Sequence, residues 1–407
     1  MNSKKDIILM TLWGTDKPGI TSAITTIMAQ YEANVLDIGQ AVIHNQLNLG
    51  VLAELADEAK EAEFLQKIEE CAQLMEMSVG FERVDVDSYS QWVGQQGKPR
   101  HIVTLLAKKI TAEHIAAVSA VGTDYGLNFD NITRLSGRIP LDEVNSQSKA
   151  SVEFTARGEV ADLSQLRQAL MKLSAELDVD IAVQEDNLYR RNRRLVCFDM
   201  DSTLIDAEVI DELAIEAGVG EQVVDITEAA MRGELDFNES FSRRMALLEG
   251  LDESVLETVA KRLRLNDGAE KLMHYLNKLG YKTAILSGGF DYFGRHLQRK
   301  LNIDYVYANQ LDIVDGKVTG KVVGTVVNGQ RKADLLRELA AKENISLEQV
   351  IAVGDGANDL PMLSIAGLGI AFQAKPLVKE SAKQSISQLG LDAILYLIGL
   401  RDRDTLH

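Results

Sequence analysis

Apolar positions over the first ninety residues change period from block to block. Ile7 to Leu12 is a mostly apolar run of strand length. Ile20, Ala23, Ile24, Ile27 and Met28 recur at helical spacing. Asn34 to Ile43 and Gln46 to Ala53 read as two strands joined at His44-Asn45. Ala59 to Met75 reads as a second helix and Met77 to Val84 as a last strand. The order is βαββαβ, a ferredoxin-like unit. It then returns. His101 to Leu106 predicts a strand, Ala112 to Gly122 a helix, Leu127 to Ser136 and Ser148 to Ala156 two strands, Leu163 to Leu177 a helix, and Val179 to Gln184 a strand. Asn34-Val35-Leu36-Asp37-Ile38 lines up with Asn128-Phe129-Asp130-Asn131-Ile132, so the pattern is an internal duplication. The polar stretch Gln91 to Arg100 reads as the linker between the copies.

Near Tyr189 the pattern changes. Leu195 to Phe198 is too short for a helix and suits a strand buried on both faces of a parallel sheet. About Ala207 to Leu265 is helical throughout, broken at Gly218-Val219-Gly220, Arg232-Gly233 and Glu249-Gly250-Leu251. Several short helices directly after a first strand look like a cap. A helix follows Asp267-Gly268 as far as Leu279, and Lys282 to Leu286 is a strand. Tyr305 to Gln330 is rich in Val and Gly, with Asp315-Gly316 at a hairpin turn. Arg331 opens a helix, Val350 to Val353 and Gly367 to Phe372 are strands, and a helix near Leu391 to Leu400 closes the chain.

Composition adds bounds. A length of 407 residues, 46% of them hydrophobic, suggests two to four domains. The formal charge of −18 argues against a general nucleic-acid binder or a membrane-surface protein. Cys71 and Cys197 are far apart, and no disulfide framework or zinc spacing is present, which fits a reduced cytoplasmic setting. No apolar stretch is long enough to cross a membrane.

The candidate chemistry lies in the carboxyl-terminal half. Asp199 and Asp201 leave the end of the Leu195 strand on one side, because residues two apart in a strand point the same way. Such held like charges call for a divalent cation or a retained proton. Ser287-Gly288-Gly289, between a strand end and a helix start, offers a hydroxyl and backbone N–H groups to a phosphate. Lys332 stands at a helix start. Gly354-Asp355-Gly356-Ala357-Asn358-Asp359 follows another strand. Each alone is an ordinary turn or a solvated charge; the four in this order are not.

In that order they resemble the haloacid dehalogenase superfamily of phosphotransferases, from about Arg194 to the C-terminus. Within it the chain resembles the branch that acts on O-phospho-L-serine. The resemblance implies a Rossmann-like parallel α/β sheet with a helical cap. It also implies Asp199 as the nucleophile that forms an aspartyl-phosphate, and Asp201 as general acid and then base. Mg2+ would be held by Asp199, the Asp201 carbonyl and Asp355, with Asp359 behind it. Ser287, Gly288 and Lys332 would hold the phosphate, and Asn358 would complete the polar shell. Cap residues would choose the substrate: Glu208 for its amino group, Arg244 for its carboxylate with Arg243 as the neighbouring alternative, and Met231 and Phe237 on the apolar side.

The tandem βαββαβ units, the first opening with Gly14-Thr15-Asp16-Lys17-Pro18-Gly19, resemble ACT domains, small amino-acid-sensing modules that pair side by side. The expected organisation is therefore two ferredoxin-like ACT units at residues 1–90 and 101–187, then the catalytic part at 188–407 with its cap at about 207–265. Gly14, Asp16 and Gly19 are the expected contacts for an amino-acid effector such as serine. The second unit has Ala107-Lys108-Lys109-Ile110-Thr111 in place of that loop, which suits packing better than binding. Pairing through these units implies a homodimer. The resulting expectation is hydrolysis of phosphoserine as the last step of serine biosynthesis. Transfer of the phosphate to another alcohol such as homoserine, or an inactive amino-acid sensor, stand as alternatives.

Overall fold

The structure is a computed structural model that describes residues 6–140, 142, 148–231 and 234–405, without the side chains of Asp6, Glu58 and Met231. The expected break at Arg232-Gly233 lies outside the described residues. The chain divides between Lys98 and Pro99 into two compact units.

The first unit runs β1 (Asp6–Thr15), α1 (Ile20–Gln30), β2 (Asn34–Ile43), β3 (Gln46–Leu55), α2 (Glu61–Leu74), β4 (Met77–Val84) and α3 (Val86–Gly94). Its antiparallel sheet has the order β2-β3-β1-β4. Alternation along β3 sends Leu47, Leu49, Val51, Ala53 and Leu55 inward, where Ile20, Ile24 and Met28 of α1 and Phe64 and Ile68 of α2 meet them. The linker expectation is corrected here, because Gln91 to Gly94 belong to α3. Asp85 caps that helix, its carboxylate accepting from Ser88 N–H at 2.8 Å.

The second unit begins with β5 (Arg100–Ala107), α4 (Ala112–Asp124), β6 (Asn128–Arg134), β7 (Ala150–Arg157), α5 (Leu163–Leu177) and β8 (Asp180–Glu185), in sheet order β6-β7-β5-β8. The duplication extends to an irregularity. Register shifts between Val35 and Asp37 on β2 and between Phe129 and Asn131 on β6, the positions that align in sequence.

There follow β9 (Leu195–Phe198), the cap helices α6 (Val209–Glu216), α7 (Gly220–Met231), α8 (Phe237–Ala246) and α9 (Ser254–Arg262), then α10 (Ala269–Lys278), β10 (Lys282–Phe290), α11 (Asp291–Leu301), β11 (Tyr305–Val314), β12 (Lys317–Val323), α12 (Gly329–Lys342), β13 (Val350–Gly354), α13 (Leu360–Ile365), β14 (Leu368–Phe372), α14 (Pro376–Ser381), β15 (Gln384–Ile386) and α15 (Ile394–Leu397). A seven-stranded sheet has the order β12-β11-β10-β9-β13-β14-β15, all parallel but for β12. Asp315 and Gly316, with φ of 49° and 75°, make the β11–β12 turn.

The expected helix over 391–400 is corrected to a 3-10 turn, Leu391–Ala393, and the single turn of α15. Gly399, at φ 90°, takes the chain out of helical geometry. β15 was too short to signal itself in the sequence.

The second antiparallel sheet is covered on both faces. Val103, Leu105 and Phe154 pack with Val118 of α4 and Leu166 of α5. Leu106 and Ala182, on the opposite face, join the same apolar cluster as Val196 and Phe198 of β9. Polar contacts reinforce this joint. Asp180 accepts from Ser387 and Gln388 N–H, both at 2.7 Å, and Lys149 lies 2.7 Å from Asp392. No helix among the described residues is long and apolar enough to cross a membrane.

Candidate active site

β9 is the strand at which the parallel sheet reverses direction of growth, with β10 on one side and β13 on the other. Ligands of open α/β sheets bind beyond the carboxyl ends of the strands at such a point. All four candidate segments of the sequence converge there. Asp199 follows β9 directly, its N–H donating to Val353 O of β13 at 2.8 Å.

Lys332, from the first turn of α12, is completely buried, and its Nζ stands 2.9 Å from Asp199 Oδ1 and 2.7 Å from Asp359 Oδ1. Asn328 caps α12 through a bond from Arg331 N–H at 3.0 Å and so fixes where the lysine leaves the helix. Burial works against the ammonium, yet the two carboxylates outweigh it and hold the lysine charged, its pKa pushed up.

Asp355 accepts from Thr203 Oγ1 at 3.1 Å, and Asp359 accepts from Gly356 N–H at 3.0 Å. Carboxylate oxygens of Asp199, Asp355 and Asp359 lie within 4.8 Å of one another. An all-oxygen, carboxylate-rich donor set of this kind fits a hard divalent cation. Burial and crowding of these acids raise their proton affinity. Burial, and then Asp359, push Asp355 up to about 7. Burial, then Asp359, raise Asp199 well above the usual carboxylate range, with Lys332 opposing.

Asp201 is buried beside this group. Burial first, then Glu208 and Asp199, push its pKa well up, which favours a proton held there. Val209 N–H donates to its Oδ1 at 3.4 Å. Ser287 is buried at the end of the parallel part of β10, its Oγ accepting from Gly289 N–H at 2.9 Å. Asn309 fastens the loop by donating to Gly288 O at 2.8 Å and accepting from Val327 N–H at 2.9 Å. Glycine is required at 289, since a Cβ there would stand 2.6 Å from Asp201 Oδ2. Asn358 is half-buried in the loop between Asp355 and Asp359.

The cap reaches the same place. Glu208 sits at the N-cap of α6, its Oε1 accepting from Ser202 Oγ at 2.8 Å. Arg244 is half-buried and feels Asp211, Glu208 and Asp201, whereas Arg243 is exposed and pairs with Glu239 at 2.6 Å. The two adjacent arginines thus differ in exposure, about a quarter-turn apart on α8. Phe237 stacks on Phe241 at 6.1 Å and overhangs the Ser287-Gly288-Gly289 loop, its ring 3.2 Å from where a Gly288 Cβ would be. The side chain expected of Met231 lies outside the described residues. Sequence reading missed Asp211, whose Oδ1 is buried without a partner. An acid in the first turn of a helix carries no signal that separates it from a dipole partner.

In the first unit, Asp16, Lys17, Pro18, Gly19, Thr21 and Gln40 border a cavity of about 340 Å³. Gly19 caps α1 at φ 95°, a left-handed backbone that suits glycine. Gly14 departs from expectation. It lies within β1, where its missing Cβ leaves room for Met77 Sδ, 2.7 Å from where that atom would stand, and it does not border the cavity.

Residues 193–367 match the haloacid dehalogenase-like hydrolases, and residues 6–82 and 99–184 each match ACT domains. Phosphoserine phosphatase of Streptomyces coelicolor is 40% identical over 97% of this chain and 92% of its own. That of Mycobacterium tuberculosis is 40% identical over 97% and 93%. A crystal structure of a probable phosphoserine phosphatase from Vibrio cholerae superposes with a TM-score of 0.57 at 34% identity, covering 73% of this chain and 86% of that one. A haloacid dehalogenase-family hydrolase from Salmonella enterica serovar Typhi gives a TM-score of 0.62 at 34% identity, covering 74% and 99%. The chain belongs to the phosphoserine phosphatase family of haloacid dehalogenase-like hydrolases, with two ACT domains ahead of the hydrolase.

Proposed function

We propose that the chain hydrolyses O-phospho-L-serine to L-serine and phosphate through an aspartyl-phosphate at Asp199. The observation that carries this reading is Lys332 held between Asp199 and Asp359 at the sheet's switch point, under a cap that brings Glu208 and Arg244. Phosphate monoesters hydrolyse so slowly unaided that upwards of ~20 kcal/mol of barrier must be removed. Most of that is electrostatic, because a dianion must meet a carboxylate.

The Asp199 oxygen not engaged by Lys332 attacks phosphorus. The bond from phosphorus to the serine oxygen breaks, and the proton held on Asp201 passes to that oxygen. Asp201, now a carboxylate, takes a proton from the water that attacks the phosphoaspartate, and the Asp199–phosphorus bond breaks to release phosphate. Lys332, Ser287 Oγ and the Gly288 N–H bind the phosphate oxygens throughout, with Asn358 beside them. Mg2+, held by Asp199, the Asp201 carbonyl and Asp355 with Asp359 behind, would neutralise phosphate charge when bound. Glu208 takes the substrate ammonium, Arg244 its carboxylate, and Phe237 closes the apolar side.

Asp16, Gly19 and the free N–H groups of the first turn of α1 form a site for the ammonium and carboxylate of an amino-acid effector such as serine. The protein acts in the cytoplasm as a homodimer, at the last step of serine biosynthesis. The test is phosphate release from L-phosphoserine with magnesium, for the intact chain and for Asp199→Asn. Magnesium-dependent release that the substitution abolishes supports the reading; release that survives it overturns the role of Asp199.

A further inference from the structure

Two half-buried charges in the cap act on each other without joining. Arg244 Nε and Asp211 Oδ1 are each shut off from solvent, and neither has a hydrogen-bond partner. Asp211 lies in the first turn of α6, three residues after Glu208, and Arg244 in the last turn of α8. Each is the strongest opposite charge that the other feels. Asp211 favours the charged guanidinium ahead of Glu208 and Asp201, and among the described residues Arg244 is the one cation acting on Asp211. Yet no hydrogen bond or ion pair links them, and an unmade bond of this kind is costly for both groups. Glu208 is differently placed, because its Oε1 already accepts from Ser202 Oγ.

A guanidinium presents its donors on separate edges. If two Nη groups grip a carboxylate side by side, the Nε–H is left over and needs an acceptor of its own. We infer that Asp211 is a positioning residue that takes the Nε–H of Arg244 when substrate is bound, aiming the two Nη groups at the substrate carboxylate. The inference rests on the reading that Arg244 holds that carboxylate. Asp211 touches neither the substrate nor the phosphate; it fixes the rotation of the group that does. Selectivity for an amino-acid phosphate over a simple amine phosphate then depends on a residue outside the contact surface.

The test compares two substrates on the full-length chain with magnesium: O-phospho-L-serine, and O-phosphoethanolamine, which lacks the carboxylate and keeps the ammonium. Asp211→Ala is expected to raise KM for phosphoserine about tenfold with little change in kcat, and so to cut the preference for phosphoserine by about the same factor. Asp211→Asn retains an acceptor oxygen without the charge, and is expected to fall between. Arg244→Ala should abolish the preference, and adding Asp211→Ala to it should cost nothing more, since a positioning residue has nothing left to position. A parallel fall for both substrates in Asp211→Ala, or losses that add in the double variant, assigns Asp211 a merely structural role and overturns the inference. If Arg244→Ala leaves the preference intact, the carboxylate reading of Arg244 fails, and the inference falls with it.

Discussion

Gly354 and Asp359 are fitted so closely that a Cβ on the glycine would stand 2.3 Å from the Asp359 carboxyl carbon. The carboxylate has nowhere to retreat, because Lys332 and Gly356 N–H hold its two oxygens and it is completely buried. Gly354→Ala therefore pushes Asp359 off both partners. Displacement of about 1 Å near reacting groups costs on the order of 10²-fold in rate, and the overpacked core about 1–3 kcal/mol in stability. Steady-state kinetics and chemical denaturation on the same variant check both. Wild-type kcat would show that the strand end absorbs the methyl group elsewhere.

Lys332→Met keeps the length of the side chain and deletes the charge. It strands two buried carboxylates, a change that typically costs about 3–5 kcal/mol. The rate should fall by about 10³-fold, since the cation opposes the charge that builds up as phosphate meets Asp199. The pH dependence carries a distinct signature. Lys332 holds the Asp199 pKa down against burial and Asp359, so its removal raises that pKa further. Attack needs the ionised carboxylate, so the acidic limb of the residual rate profile should move to higher pH. An unmoved limb would mean that Lys332 acts on the phosphate alone.

Much of this site was legible because each piece is short and contiguous. Asp199-Met-Asp, Ser-Gly-Gly and Gly-Asp-Gly-Ala-Asn-Asp each sit where a strand ends, and a strand end is visible in the apolar pattern. Lys332 was less legible; a lysine opening a helix is usually solvated, and only the fold turns this one inward. The same limit hid Asp211, whose meaning lies in Arg244 on another helix, and Gly354, whose meaning lies in the Asp359 side chain. The βαββαβ repeats were plain in their periodicity. Their unequal surroundings were not, because no local pattern reveals that Leu106 and Ala182 pack beside Phe198. α3 escaped notice because the polar composition after Gln91 outweighed the Asp85 cap.

Magnesium affinity should depend on pH in a defined sense. Burial and then Asp359 push Asp355 up to about 7, and Asp199 is raised with it. A cation must displace those protons to reach the oxygens. The apparent affinity should thus fall as pH drops below about 7, by up to roughly tenfold per unit for each proton displaced. Calorimetric titration in buffers of different ionisation heat would count the protons directly. Affinity that stays constant from pH 8 down to 5.5 would show that Asp355 is ionised before the metal arrives.

Gln384 of β15 joins the second antiparallel sheet to the parallel one through a single amide. Its Oε1 accepts from Val183 N–H at 2.9 Å, and its Nε2 donates to Val183 O, so the side chain takes the place of a neighbouring strand at the edge of β8. Both Val183 groups are buried, and Gln384→Ala leaves them unsatisfied, at a cost of about 2–4 kcal/mol. Gln384→Glu is the sharper probe. A carboxylate can still accept from the N–H, but only its protonated form can donate to the carbonyl, so folding should raise the pKa of the new acid. A group whose folded pKa lies above its unfolded value gives its stabilisation in full below the unfolded value, and loses it as pH rises through the folded one. Gln384→Glu should therefore approach wild-type stability toward pH 5 and fall away from it at neutral pH, while Gln384→Ala stays equally destabilised across that range. Denaturant midpoints at several pH values separate the two. Parallel curves would mean that the joint admits water at Val183 and that its other contacts, apolar and polar, hold the two sheets together without this amide.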